Sequence, residues 1–277
     1  MNENELQKKN KEITELKNTI KDLNNKLSES ESLKSNFISN IMNEVYNPFS
    51  SIISMADNII SLKENNLEKA IPMAEIIYRE AAQLDFHLQN IFSAATIEAG
   101  LEFLEVSTVN IALLFESALK KFHFDIENKG LIIKSNIEGD SKISLNTDSK
   151  KLSLLLLNLI SNSIKYSPEG GEITLGFELI ENQLNILVHN QGSGISESEL
   201  KLIYDRFKRV DITINSVTGG SGLGLSVVKA LTELMEGNIK ITNDNGTKVL
   251  VCIPNLEIVG GGDIFEDDAI LFDEEVF

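Results

Sequence analysis

Three polar side chains share one face of a predicted helix between residues 157 and 168. Asn158, Asn162 and Lys165 are spaced four and three residues apart, which brings them together on a helix surface. Amide oxygens suit Mg²⁺, a hard cation, and a lysine on the same face can meet phosphate as a point charge. On its own, the triplet is equally compatible with an ordinary polar helix face.

Two glycine-rich segments follow along the chain. A predicted strand ends near Asn190 and runs into Gly192 and Gly194, where glycine allows positive φ and a close approach of the backbone to a flat ligand. The segment 219–226 reads GGSGLGLS and opens a predicted helix, whose free N–H groups form a ready anion site. One such loop is weak evidence, but the three segments in this order predict a nucleotide site.

These segments resemble the N, G1 and G2 boxes of the GHKL ATPase superfamily, specifically the catalytic domain of sensor histidine kinases. The run LIYDRFKRVD at 202–211 is similar to the F box of that family, and 208–221 would then be a lid over ATP. Upstream, 96–100 (TIEAG) resembles the end of the second dimerisation helix. The resemblance covers roughly residues 33–255.

The resemblance implies ATP and Mg²⁺ as cofactors and suggests a role for each matching residue. Asn162 would be the principal Mg²⁺ ligand with Asn158 beside it, while Lys165 and Tyr166 would face the phosphates and the nucleoside. The later boxes would shape the adenine pocket, anchor the lid and wrap the triphosphate. Their candidate residues are Asn190, Gly192, Gly194, Ile195, Phe207, Gly220, Ser221, Gly222, Leu223, Gly224 and Leu225.

The phosphoacceptor position departs from the family pattern. The family reads H-E-x-x-[TN]-P, whereas residues 43–48 read NEVYNP, so Asn43 replaces the histidine while Glu44 and Asn47 match. An amide nitrogen has a delocalised lone pair and is not a nucleophile, so we expect autophosphorylation to be lost. His87 would lie level with residue 43 in a helical hairpin, but an edge-of-core histidine with a hydrogen-bond partner is the favoured interpretation.

The adenine-binding position departs as well, because the family has an aspartate where this chain has Asn190. The amide oxygen can still accept a hydrogen bond, but without a charge. Loss of a charged hydrogen bond in a buried pocket costs about 1 to 3 kcal/mol. We therefore expect weakened ATP binding.

Four parts are predicted to position these residues. Residues 1–32 form a coiled-coil stem, 33–100 a dimerising helical hairpin, 101–255 a GHKL α/β sandwich, and 256–277 an acidic tail. The stem carries apolar residues at heptad spacing. These are Leu6, Ile13, Ile20 and Leu27, with Leu16 and Leu23 in the complementary position. A single hairpin buries too little apolar surface, so two should pair into a four-helix bundle, which makes a homodimer the expectation.

Within the sandwich, alternating or β-branched runs predict strands and periodic runs predict helices. The strands are predicted at 131–137, 172–179, 184–188, 238–242 and 248–253, and the helices at 109–128, 148–166, 197–204 and 222–236. The hairpin helices are predicted to meet in a turn at 63–66, with the second running from about 67 to 99.

Composition excludes several classes of protein. The formal net charge of −17 argues against a nucleic-acid or anionic-membrane surface. The single cysteine, Cys252, rules out an internal disulfide framework. Because no run is long and apolar enough to insert into a membrane, a cytoplasmic protein is expected.

Three functions remain open. The first is a dimeric, ATP-binding scaffold that cannot autophosphorylate and acts on a response regulator receiver domain or a partner histidine kinase. The second is a response-regulator phosphatase, in which Glu44 and Asn47 orient the attacking water. The third is a kinase that phosphorylates a residue of its partner in trans.

Overall fold

The computed structural model describes residues 3–62, 66–137, 143–195 and 223–258. Its N-terminal part consists of two packed helices, α1 (Glu3–Ile60) and α2 (Leu67–Glu98). α1 runs without a break through the predicted stem and into the predicted hairpin, including Pro48. The helical hairpin is thus confirmed, while residues 63–65 of its predicted turn lie outside the described residues.

The remaining part is an α/β sandwich built on a five-stranded sheet. The strands are β2 (Ile132–Ile137), β4 (Glu172–Ile180), β5 (Gln183–Gln191), β6 (Asn238–Asn243) and β7 (Gly246–Pro254), in the order β2-β4-β5-β7-β6. Only the β2–β4 pair is parallel. β4 and β5 are joined by Glu181 and Asn182, both at positive φ, as a two-residue hairpin turn requires.

Helices cover one face of this sheet. They are α3 (Ile111–Lys121), α4 (His123–Asn128), α5 (Ser149–Tyr166) and α6 (Leu223–Leu234). α5 packs against α3, α6 and β5, and its leucines form much of the core. Every second residue of β5 from Leu184 to Asn190 is buried, so the apolar face of the strand points toward α5. This alternation places Asn190 at the helix-covered end of the strand.

A second sheet of two strands was not predicted. β1 (Val106–Asn110) pairs antiparallel with β3 (Ser144–Asp148), from Val106 opposite Asp148 to Asn110 opposite Ser144. Both strands end in a helix cap, because Asn110 accepts a hydrogen bond from the Leu113 N–H and Asp148 from the Lys151 N–H. The two strands therefore deliver the chain into α3 and α5.

The predicted helix at 109–128 is wrong in one respect, because Phe122 divides it into α3 and α4. The ring of Phe122 stands edge-on to that of Phe86 in α2, with centroids 6.3 Å apart. This packing across parts of the chain has no counterpart in the local periodicity. The other described strands and helices match the predictions to within about three residues, whereas the helix predicted at 197–204 lies outside the described residues.

No helix of the described ranges combines the length and the apolarity that crossing a membrane requires.

Candidate nucleotide site

α5 carries the first group of predicted site residues, and its sequence explains how they reach one face. Leucines and isoleucines fill the buried side of the helix from Leu152 to Ile164, and Asp148 caps its first turn. Lys129 holds the other end, because its Nζ donates to the carbonyl oxygens of Ile164 and Lys165 at 2.6 and 2.9 Å. The helix is thus fixed at both ends, and sequence analysis missed Lys129.

The two asparagines of α5 lie in different surroundings. Asn158 is 2% exposed, and its Nδ2 donates to the Leu154 carbonyl at 2.8 Å. Asn162 is half-buried, and its Nδ2 is buried without a hydrogen-bond partner in the described part of the chain. A buried amide with an unmet hydrogen bond is costly, so Asn162 is the asparagine with unused capacity for a ligand.

Lys165 and Tyr166 close this face at the end of α5. Burial lowers the pKa of the Lys165 ammonium, and the charge of Glu44 in α1 partly offsets this effect. Its Nζ lies 5.2 Å from the centroid of the Tyr166 ring, which is 42% exposed. A partly desolvated ammonium is well suited to meet a phosphate group.

The end of β5 approaches the end of α5 so closely that only glycine fits between them. A Cβ on Gly192 would lie 2.5 Å from the Tyr166 carbonyl oxygen and 3.2 Å from Nδ2 of Asn190. Asn190 is 5% exposed, and its Nδ2 donates to the Gln191 carbonyl at 3.3 Å. The structure thus brings Asn190, Gly192 and Tyr166 together, as the nucleotide-site hypothesis requires.

The loop after β5 is held by a residue that sequence analysis missed. Asn243 at the end of β6 accepts a hydrogen bond from the Ile195 N–H at 3.0 Å and donates to the Ile195 carbonyl at 2.7 Å. Gly194 has a φ of +71°, and a Cβ there would lie 2.8 Å from Oδ1 of Asn243. Only the tertiary structure could identify Asn243, because it lies 48 residues from the loop that it clamps.

The N-terminus of α6 completes the site. A Cβ on Gly224 would lie 3.0 Å from both Oδ1 of Asn158 and Nδ2 of Asn162, so the absence of a side chain lets α6 close on α5. Leu225 and Ile195 are partly buried against the core. Leu223 begins α6. Four other predicted residues, Phe207, Gly220, Ser221 and Gly222, lie outside the described residues, as does the lid at 208–221.

The phosphoacceptor-like segment lies in α1. Asn43 and Asn47 are exposed, whereas the Glu44 side chain is 16% exposed and faces α2. Its Oε2 lies 3.7 Å from Nδ1 of His87, which confirms the level predicted for His87 to within one residue. His87 is half-buried, as expected, and its Nδ1 makes no hydrogen bond with the described residues although the Glu44 carboxylate lies near it.

One residue of α2 reaches the site without having been predicted. Asn90 is 5% exposed, and its Oδ1 accepts a hydrogen bond from Nδ2 of Asn158 at 2.6 Å. Its own Nδ2 donates to the Phe86 carbonyl at 3.0 Å. The sequence offered no signal for Asn90, because a single polar residue in an amphipathic helix is unremarkable without knowledge of what faces it.

The residues present fit a magnesium nucleotide. The unmet Nδ2 of Asn162 is a hydrogen-bond donor that suits a phosphate oxygen, while the amide oxygens of Asn158 and Asn162 are a ligand type that Mg²⁺ accepts. Lys165 supplies a positive charge, and the N-terminus of α6 near Gly224 supplies the positive end of a helix dipole. Asn190 lies buried at the strand end where a base would sit.

Comparisons with known proteins identify the family to which this part of the chain is similar. Residues 147–257 match the family described as histidine kinase-, DNA gyrase B- and HSP90-like ATPase. The chain is 30% identical over 238 residues to hybrid signal transduction histidine kinase D of Dictyostelium discoideum, over 84% of this chain and 15% of that protein. The matches span only 15% to 20% of the full length of the first curated relatives.

Two solved structures share the fold. Histidine kinase AdeS of Acinetobacter baumannii is 18% identical with a TM-score of 0.53, covering 78% of this chain and 98% of that one. Histidine kinase ThkA in complex with the response regulator protein TrrA is 19% identical with a TM-score of 0.50, covering 83% of this chain and 66% of that one. At these identities the likeness concerns the fold alone.

Proposed function

Because the chain belongs to the sensor histidine kinase family, we propose that it is a two-component signalling protein that cannot phosphorylate itself at the usual position. Its ATPase-like domain binds ATP together with Mg²⁺, and the nucleotide acts as a ligand. Nucleotide binding then changes the conformation of the hairpin. The protein then acts as a dimeric scaffold for a response regulator receiver domain or a partner histidine kinase.

The observation that carries this proposal is the exposed Asn43 on α1. The phosphoacceptor position of the resembled family is occupied by an amide, which offers no nucleophilic nitrogen near neutral pH. In contrast, α5, the end of β5 and the start of α6 converge on a surface suited to a nucleotide. The nucleotide-binding half of the machinery is thus retained while the accepting atom is missing.

When bound, ATP would bring a transferable phosphoryl group, and the residues of this chain would hold it in place. Asn162 and Asn158 are the proposed Mg²⁺ ligands, and the Lys165 ammonium meets the phosphates. Gly192 and Gly194 leave room for the adenine beside Asn190. Tyr166 lies at the exposed opening of the site, where its ring can pack against the nucleoside.

Labelling with γ-³²P-ATP tests this proposal. We expect no acid-labile label on the parent protein and new acid-labile label on an Asn43→His variant, because imidazole restores the nucleophile. Asn47→His is the matched control, since it places the same ring one helical turn away, and it should stay unlabelled. Acid-labile label on the parent that disappears in a His87→Gln variant would overturn the proposal and identify His87 as the acceptor.

A response-regulator phosphatase is the second candidate, and the exposed Asn47, three residues from Glu44, favours it. This chemistry needs no phosphoacceptor, because the carboxylate and the amide would orient a water molecule. Glu44 faces His87, so the hairpin would first have to present it. A kinase that acts on its partner in trans is the remaining alternative, and labelling of an added partner would reveal it.

The solved complex of ThkA with a response regulator supports a receiver domain as the partner class. Dimerisation is supported by apolar side chains that a single chain leaves exposed along both helices. In the stem these are Leu16, Ile20, Leu23 and Leu27, each more than half exposed, and in the hairpin they include Phe49, Ile53, Tyr78 and Phe92. We propose a coiled coil and a four-helix bundle as the structures that cover them.

A further inference from the structure

Helix α2 packs against the ATPase-like domain and reaches Asn158 of α5 through the side chain of Asn90. The contact is mainly apolar, because Phe86, Ile91, Ala94 and Ile97 pack against the core of the ATPase-like domain. α2 also contacts α6. Within this apolar contact lies the Asn90 to Asn158 hydrogen bond of 2.6 Å, with both side chains at least 95% buried.

Two amides are costly to bury in an apolar contact unless they satisfy each other. Asn90 and Asn158 do so, since the Asn158 Nδ2 hydrogens go to Asn90 and Leu154 and the Asn90 Nδ2 donates to Phe86. An apolar residue at position 90 could not pair with Asn158 and would leave a buried N–H unmet. The choice of asparagine in α2 therefore matches a specific polar residue of the candidate site.

Asn158 is enclosed from two directions. Asn90 lies on the side of the hairpin, and Gly224 of α6 approaches Oδ1 of Asn158 from the other. Mg²⁺ in proteins keeps several of its water ligands, so a hydrated ion needs more room than a 2%-exposed side chain offers. The atom of Asn158 that could bind Mg²⁺ is Oδ1, which faces Gly224, so it can reach such an ion only after α6, the helix that α2 contacts, has moved.

A second residue of the hairpin acts on the same face. The charge of Glu44 in α1 raises the pKa of Lys165, opposing the larger effect of burial. The hairpin therefore acts on both side chains proposed to hold Mg²⁺ and phosphate, through the hydrogen bond between Asn90 and Asn158 and through the charge of Glu44.

We propose that docking of α2 against the ATPase-like domain and binding of the magnesium nucleotide exclude each other at Asn158, with Asn90 as the latch that holds the docked state. This inference rests on the proposed nucleotide site and adds its regulation. Because coupling between two binding events is reciprocal, nucleotide weakens docking by the factor by which docking weakens nucleotide binding. Such competition would connect the nucleotide state with the surface that the hairpin offers to a partner.

Calorimetric titration of Mg²⁺-AMPPNP into the full chain and into an Asn90→Leu variant tests the latch. Leucine has a similar side-chain size and cannot form the hydrogen bond. We therefore expect the affinity for Mg²⁺-AMPPNP to rise about threefold to tenfold, which corresponds to the free energy of one such hydrogen bond. Gln89→Leu is the matched control, because it makes the same kind of change at an exposed neighbour whose amide contacts only Asp85. Asn90→Ser provides a smaller replacement should leucine impair folding.

A distance measurement provides a readout that does not depend on nucleotide affinity. Spin labels at exposed positions 83 in α2 and 240 in β6, in a Cys252→Ser background, report whether the hairpin is docked. We expect Asn90→Leu to broaden the distance distribution without nucleotide, and Mg²⁺-AMPPNP to do the same in the parent. If no preparation binds nucleotide, the proposed function fails, while the ligand-free distances still test the latch.

Two results would overturn the inference. Lower affinity in Asn90→Leu would mean that Asn90 orients Asn158 for its ligand and does not withhold it. Unchanged affinity together with an unchanged distance distribution would mean that apolar packing alone sets the position of α2.

Discussion

At the scale of single residues, the candidate site matches the pattern of the resembled family at some positions and departs from it at others. Gly192 and Gly224 occupy positions where a side chain would collide with Tyr166 or the α5 asparagines, so the close approach of the three segments depends on them. Asn43 and Asn190 lack the nucleophile and the charge that the resembled family has at those positions. In the proposed function the two altered residues would affect different steps, Asn43 the acceptance of a phosphoryl group and Asn190 the recognition of adenine.

We expect Asn190→Asp to raise the affinity for Mg²⁺-ATP about tenfold to a hundredfold, because a charged acceptor replaces a neutral one in a buried pocket. The same change removes the amide that donates to the Gln191 carbonyl, so the ligand-free domain should become less stable. Calorimetric titration and thermal unfolding measure the two effects.

The exposed Asn238 at the start of β6 offers a control, since Asn238→Asp adds the same charge away from the site. An equal gain in both variants would assign the effect to net charge. No gain at Asn190→Asp would contradict the proposed adenine position.

At the scale of elements, a polar network joins the end of α2 to the start of α5. The Thr96 hydroxyl donates to the Glu102 carboxylate, which lies 3.0 Å from Nζ of Lys151. Lys151 in turn lies 3.1 Å from Asp148, whose carboxylate also accepts hydrogen bonds from the Glu105 and Lys151 N–H groups. The network therefore couples the hairpin to the capped N-terminus of the helix that carries the site.

In this network the pKa values of Asp148 and Lys151 shift in opposite directions. Burial alone would raise the pKa of Asp148, but the two backbone hydrogen bonds and the Lys151 ammonium together lower it below 3.8. Burial would lower the pKa of Lys151, but hydrogen bonds and charge from Glu102 and Asp148 raise it. Both groups are therefore charged at neutral pH, and the stability that their charges contribute is complete between the unfolded pKa values of 3.8 for Asp148 and 10.5 for Lys151.

We expect Asp148→Ala to lower the free energy of unfolding by about 1 to 2 kcal/mol at neutral pH, through loss of the helix cap. Because the folded pKa lies below the unfolded value of 3.8, the contribution of the charge is complete above that value and disappears as the pH falls through the folded pKa. Urea unfolding of the parent and the variant at several pH values between 7 and 3 measures both the loss of stability and its pH dependence.

Asp148→Asn separates the two contributions, since an amide keeps a cap acceptor but has no charge to titrate. Its stability should fall less than that of the alanine variant at pH 7. The stability difference between parent and Asn variant should narrow toward pH 3, and a constant difference would contradict the assignment.

At the scale of the whole molecule, the exposed heptad side chains of α1 predict a dimer. We expect Leu16→Asn combined with Leu23→Asn to raise the dimer dissociation constant at least about a hundredfold, because each buried leucine contributes roughly 1.5 to 3 kcal/mol. Sedimentation equilibrium measures the change. Substituting Lys17 and Lys21, which lie beside the stripe, by Asn should leave the dimer intact, and an unchanged constant in the leucine variant would exclude the stem as the interface.

The sequence by itself determined the elements and most residues of the candidate site. Local periodicity identified the two hairpin helices, the five strands of the main sheet and α5, because each buries a regular stripe or alternation. The glycine segments and the α5 triplet were predictable because phosphate and magnesium chemistry restricts residue type and spacing within a short stretch. The expectation that the phosphoacceptor is lost likewise rests on Asn43 alone.

The tertiary structure alone decided what those residues contact. The pairing of Asn90 with Asn158 and the clamp of Asn243 on Ile195 join residues that lie 68 and 48 positions apart in the chain. The β1–β3 pair and the break at Phe122 depend in the same way on distant partners. Such contacts arise from chain topology, which brings together side chains whose local sequences carry no trace of each other.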